Sequence, residues 1–225
     1  MVHFTLFGIP VYIRPSFWVV LAIFGGALSI SSVEDLIYPA LFVIAGFIAI
    51  LSHEMGHALV GRKLGGGQQT IVLELFGGLT SSHGMQLTRG GRALMILAGP
   101  MMTLLLGIIS LWLTWNMTSY NLNFWDLAIS PFTAALISPK LYILSCLIMI
   151  GEWWTILNLL PIYPLDGGQL IAQYIRSPRK VFMTGFITAI LIGLLSFQLF
   201  HGYFIPIFMA LFAYSNYREY KNAPF

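Results

Sequence analysis

Two histidines and a glutamate, in the order His53-Glu54-Met55-Gly56-His57, sit inside an apolar run from Ala40 to Val60. On a helix the two imidazoles, four residues apart, project from one face, with Glu54 beside His53. A charged group at the centre of a membrane helix costs about 2.5–3.5 kcal/mol, so such residues rarely persist there without a task. Binding a metal is the natural one. Zinc held by this pattern lowers the pKa of a bound water to about 7, and a neighbouring carboxylate can take the proton. Histidines hydrogen-bonded between packed helices are the alternative. That suits a lone histidine better than a complete HExxH pattern within an apolar span.

A catalytic zinc usually takes three protein ligands and keeps a fourth position for water. The candidate third ligand is Asp166, in Asn158-Leu159-Leu160-Pro161-Ile162-Tyr163-Pro164-Leu165-Asp166-Gly167-Gly168. Pro161 and Pro164 are expected to end a helix and impose an extended segment, and the glycines permit a tight turn that aims a carboxylate back. Asp166 would serve equally as the N-cap of a short helix through Gln169–Arg176. The accompanying HExxH pattern favours the ligand.

The elements that must position these residues are membrane helices. Of the 225 residues 58% are hydrophobic and 8% charged, with a mean hydropathy of +0.84. Soluble domains carry roughly a quarter charged residues. The apolar segments Phe17–Ser31, Ala40–Val60, Ala93–Trp115, Leu141–Leu160, Val181–Phe200 and Tyr203–Tyr217 leave no stretch for a separate soluble core. A span takes about 20 residues, which makes the first and last of these marginal. The expected fold is an all-α transmembrane bundle of about six spans, a single polytopic domain over 1–225 with its core at about 38–176.

Between the second and third segments, Gln68–Ser82 carries glycine pairs and the β-formers Thr70–Phe76, predicting a strand or hairpin at the membrane surface. Val2–Ile13 is its partner strand or an interfacial segment. No short basic start with a small-residue cleavage site precedes the first apolar segment, so that segment is expected to be retained.

Charge placement gives an independent orientation, since cytoplasmic loops collect Lys and Arg. Six alternating spans with both termini cytoplasmic put all but Lys140 of the 11 basic residues inside, and Glu34 and Asp35 outside. His53 then lies roughly 13 Å along its helix from the basic end at Arg62, on the same side of the membrane as Asp166. The net charge of +3 is scattered in pairs, which argues against a nucleic-acid partner. Cys146 is the sole cysteine, excluding an intramolecular disulfide and a cysteine zinc knuckle.

HEMGH on one span, with Asn158, Pro161, Pro164 and Leu165-Asp166-Gly167-Gly168 at the end of another, resembles the paired signature of the site-2 protease family of intramembrane zinc metalloproteases. The chain is similar to the compact bacterial branch related to the sporulation sigma-factor-processing protease, without that branch's CBS module. The resemblance implies one zinc ion per chain held by His53, His57 and Asp166, with Glu54 as general acid/base. It implies that Asn158 positions substrate or polarises the scissile carbonyl, the alternative being an interhelical hydrogen bond. The expected partners are a membrane-anchored protein substrate, the bilayer and a regulatory membrane protein, and the expected location is the cell membrane. Ala98-Gly99-Pro100 resembles a further family element, but Met101-Met102-Thr103 follow where many members place an asparagine, so no catalytic part falls to them. An edge on Ile71–Phe76 could accept an unwound substrate as an added strand, with Gly77 and Gly78 allowing close backbone approach or merely making a turn.

Two other classes compete. In an ion or proton transporter, intramembrane His, Glu and Asp would line a path, but nothing there requires three ligands plus a base. A catalytically silent relative that binds membrane helices would not need Glu54. Glu152, near the middle of the fourth apolar segment, is unassigned, while His3, His83 and His201 read as exposed. Trp112, Trp115, Trp125, Trp153 and Trp154 read as interfacial or packing residues.

Overall fold

The computed structural model describes residues 1–75, 77–84, 86–117, 134 and 138–224, so Trp125 and Phe76 lie outside the described residues. Its contacts divide the chain into two compact units, Met1–Thr155 and Ile156–Phe225.

In the first unit the N-terminal segment is a hairpin, β1 (Val2–Leu6) and β2 (Ile9–Ile13), turned by Phe7 and Gly8 at positive φ. Two helices follow: the short α1 (Pro15–Phe24) and, after 3-10 turns, the long α2 (Ile37–Gly65). A second hairpin, β3 (Gln68–Glu74) and β4 (Gly77–His83), leads to α3 (Arg89–Met117) and then α4 (Pro139–Leu159), whose last turn belongs to the second unit.

The two hairpins join into one sheet of order β1-β2-β3-β4, with β2 and β3 parallel in the register Val11↔Ile71 and Ile13↔Leu73. The N-terminal segment is therefore the partner strand. Period-two alternation puts Ile9, Val11, Ile13, Ile71 and Leu73 on one buried face, where they pack against Phe17 and Leu21 of α1 and Ile50, Met55 and Ala58 of α2. The Arg62 guanidinium donates to the Phe7 carbonyl at 2.8 Å, tying the end of α2 to the first hairpin. Because β3 is interior, the edge nearest the HEMGH helix is β4, not Ile71–Phe76 as expected.

The second unit runs from the last turn of α4 through the proline segment to α5 (Asp166–Ala172), α6 (Pro178–Phe200) and α7 (Phe204–Asn222). Helices α6 and α7 pack together, and Ile162 is sealed among Ala189, Met209 and Ala213.

Among the described residues four helices are long and apolar enough to cross a membrane: 34–65, 89–117, 139–159 and 178–199. The expected count of about six therefore reduces to four on those criteria. The first expected span is a helix of 10 residues, ended at Gly25-Gly26, and reaches only about 15 Å. Helix α7 has 19 residues, but Asn216, Arg218, Glu219 and Lys221 dilute its apolar character. Leu105, Ile108, Ile109 and Trp112 on α3 and Leu191, Leu194 and Leu195 on α6 are exposed, as lipid contact allows.

Candidate metal centre

His53, Glu54 and His57 occupy consecutive turns of α2 and are all buried. The two Nε2 atoms are 3.1 Å apart. Two imidazoles on one tetrahedral zinc, each at about 2.0–2.1 Å, bring their nitrogens to about 3.3 Å, so this pair fits a single ion. His57 Nδ1 is 2.8 Å from the Met95 carbonyl and donates to it. In the neutral ring that donation leaves the Nε2 lone pair facing His53, the arrangement that second-shell partners of zinc histidines enforce.

Helix α3 is shaped to back these rings. A Cβ on Gly99 would lie within 2.9 Å of His53 Nε2 and still closer to His57 Nε2, so only glycine leaves the nitrogens room. The reverse face is matched, since a Cβ on Gly56 would come within 2.5 Å of the Ala98 carbonyl oxygen. Gly56 and the Ala98-Gly99 pair are therefore two halves of one close helix crossing. Pro100 removes a helical N–H one residue later. Around it the Thr103 and Thr155 hydroxyls lie 2.9 Å apart, and the Pro100 carbonyl oxygen lies 3.0 and 3.2 Å from them, so that one hydroxyl donates to the carbonyl and the other to its neighbouring hydroxyl. Thr103, last of the Met101-Met102-Thr103 stretch that follows Ala98-Gly99-Pro100, thus joins α3 to α4.

The second hairpin covers Glu54. The Thr80 hydroxyl is 2.7 Å from Glu54 Oε2 and 3.1 Å from its backbone carbonyl. A Cβ on Gly78 would fall within 2.5 Å of the Glu54 carboxyl group, and one on Gly77, whose φ is 120°, would fall 2.7 Å from the Trp154 ring. The near neighbours of these glycines are the Glu54 carboxylate and an indole of the same chain, whereas the close approach expected of them was that of a substrate strand.

In the second unit, α4 ends at Leu159, ahead of Pro161. Segment 160–169 closes on itself through Ile162 N–H to Leu160 O at 2.7 Å, Leu165 N–H to Ile162 O at 2.8 Å and Gln169 N–H to Leu165 O at 2.9 Å, and its Tyr163–Pro164 peptide is cis. Gly167 and Gly168 permit the fold: Cβ atoms there would meet the Leu159 carbonyl carbon and the Tyr163 nitrogen at 2.5 Å. Asp166 is buried and is the first residue of α5, with Leu165 in the cap position. Asp166 is thus not the N-cap. Asn158 is buried in the last turn of α4.

Thr80, Thr103, Thr155 and Met95 were not visible as site residues. Each acts on a partner remote in the chain, through an ordinary hydroxyl or a backbone carbonyl that leaves no local pattern. Glu152 lies beside Gly107 of α3. His3, His83 and His201 are exposed, as are Trp112, Trp115 and Trp153, while Trp154 packs against the sheet core.

Comparison with known proteins supplies the context for this geometry. The model of peptidase family M50 matches residues 41–200. A zinc metalloprotease of Methanocaldococcus jannaschii is 28% identical over 222 residues, covering 94% of this chain and 57% of the relative. A candidate zinc metalloprotease of Synechocystis sp. is 29% identical over 183 residues, covering 76% of this chain and 43% of the relative. The chain thus spans about half the length of the curated relatives it matches. Among solved structures, the site-2 protease from Methanocaldococcus jannaschii shares the fold, with a TM-score of 0.63, 23% identity and coverage of 97% of this chain and 94% of that one.

Proposed function

Because the chain belongs to peptidase family M50, we propose that it is an intramembrane zinc endopeptidase that cuts a membrane-anchored protein in or near its transmembrane segment, as in regulated intramembrane proteolysis. The observation that carries this reading is the buried His53 and His57 pair, with ring nitrogens at 3.1 Å, one residue from a carboxylate held by Thr80. His53, His57 and Asp166 would hold the ion, with residues 1–225 as a single protease domain. Zinc so bound supplies a Lewis acid and acidifies water to a pKa of about 7.

Glu54 takes the proton of the attacking water and returns it to the leaving amine. Thr80 sets the carboxylate's rotamer through Oε2. Asn158 orients the substrate or polarises the scissile carbonyl. The outer edge of β4, whose Gly78 lies against Glu54, accepts the unwound substrate segment as an added strand. Both termini face the cytoplasm of a cell-membrane protein, and a regulatory membrane protein is a further partner.

The test is cleavage of a single-span substrate in proteoliposomes, with zinc measured in the same preparations. Glu54→Gln should retain zinc and lose cleavage, whereas His53→Ala and Asp166→Asn should lose zinc. Undiminished cleavage by Glu54→Gln, or ion transport surviving that change, would replace the protease with the transporter reading.

A further inference from the structure

Three residues ahead of Asp166, the carbonyl of Tyr163 is gripped from nearly the far end of the chain. Asn216, on α7, is 1% exposed. Its Nδ2 donates to the Tyr163 carbonyl at 2.6 Å and to the Phe212 carbonyl of its own helix at 2.9 Å. Both partners are acceptors, so the amide can point only one way: reversed, it would set oxygen against two oxygens. The Oδ1 atom lies against Gly185 of α6 and has no hydrogen-bond partner among the described residues. A Cβ on Gly185 would approach Asn216 Cγ to 2.8 Å and the Tyr163 nitrogen to 3.3 Å. The proline segment, α6 and α7 therefore converge on one amide.

That amide is costly where it stands. A buried polar side chain with an unmade hydrogen bond is worse than a leucine of similar size if space-filling is the only need. What asparagine supplies and leucine cannot is a fixed donor to Tyr163. From there the lever to Asp166 is short and stiff, because the Leu165 N–H bonds the Ile162 carbonyl and the Gln169 N–H bonds that of Leu165. Asn216 also lies outside residues 41–200, which the family model matches.

We infer that Asn216 is a positioning residue of the metal centre: by holding the Tyr163 carbonyl it sets the turn that aims the Asp166 carboxylate. The inference rests on Asp166 being the third ligand. Zinc affinity is measured on the full-length protein in detergent, stripped of metal and titrated with zinc against a chromogenic chelator. The visible spectrum of the cobalt(II)-loaded protein reports the ligand set, and thermal unfolding of the metal-free protein reports general stability.

Asn216→Leu should weaken zinc binding by up to about 10-fold, the low end of what losing a direct partner of a metal ligand costs, since Asn216 acts on Asp166 through the backbone. Its cobalt spectrum should shift toward that of Asp166→Asn. A change in metal-free unfolding with zinc affinity and spectrum unmoved, while Asp166→Asn loses zinc, would make Asn216 a packing residue and overturn the inference alone. Zinc binding undiminished in Asp166→Asn would remove the third ligand and the inference with it. Should Asn216→Leu fail to fold, Gly185→Ala, which crowds the amide without removing it, decides the matter: weakened zinc binding supports the inference and wild-type binding overturns it.

Discussion

On the proposed protease reading the carboxylate that moves the proton has to be held as well as present, and Thr80 holds Glu54. Thr80 reaches Oε2 at 2.7 Å from across the second hairpin. A hydrogen bond to a charged group contributes about 1.5–3 kcal/mol, so Thr80→Val should lower kcat by about tenfold or more while leaving zinc content unchanged. Steady-state cleavage with metal analysis on the same sample checks both. Gly78 supports the same carboxylate by default, since a methyl group there would occupy its place. Gly78→Ala should therefore displace Glu54 and depress kcat with zinc retained, and normal turnover would show that the strand can move aside. The HEMGH pattern itself needed no structure to be noticed: two imidazoles at helical spacing and a carboxylate in an apolar run are locally improbable. Thr80 and Gly78 gave no comparable signal, because a threonine and a glycine in a β-forming stretch are ordinary until their partner 26 or 24 positions earlier is known.

At the scale of elements, the centre depends on how closely α3 approaches α2. Gly56 and Gly99 set that distance from opposite sides, so Gly99→Ala should drive the imidazoles apart. Overpacking of this kind costs about 1–3 kcal/mol, and the expected outcome is reduced zinc affinity together with a lower thermal midpoint. The Thr103 and Thr155 pair is a different device, a buried hydroxyl bridge between α3 and α4 at 2.9 Å. Interhelical hydrogen bonds in membrane proteins average about 0.6 kcal/mol, so Thr103→Val and Thr155→Val should each destabilise modestly, and the double variant should show little beyond either single one. Equilibrium unfolding in mixed micelles measures this. Element limits were legible where punctuation was strong: Pro161 follows the end of α4 by two residues, Gly66-Gly67 precede β3 and Gly77-Gly78 open β4. The first segment falls short on helical length, which hydropathy does not count, and the last on the polar residues Asn216, Arg218, Glu219 and Lys221 in its helix. Gly25 and Gly26 stop α1 after 10 residues, in the middle of an apolar stretch.

At the scale of the whole molecule, zinc should act as a ligand of the folded state alone. Removing it with a chelator is expected to abolish proteolysis reversibly and to lower stability, by about 2.7 kcal/mol relative to protein at a zinc concentration 100 times its dissociation constant. Restoration by added zinc and a concentration-dependent thermal midpoint are the measurements that decide this.

What this protein is made to do was written locally. Low charge required a membrane, HEMGH in an apolar run implied a metal, and proline and glycine around Asp166 marked a turn, each being a property of a few neighbouring residues. What remained for the tertiary structure were the relations between remote ones: β3 as an interior strand, Thr80 on Glu54, Gly99 against the imidazoles, and Asn216 on Tyr163, 53 positions away. Hydrogen bonds and steric fit act over a few ångströms in space, whatever the distance along the chain, and no local pattern records them.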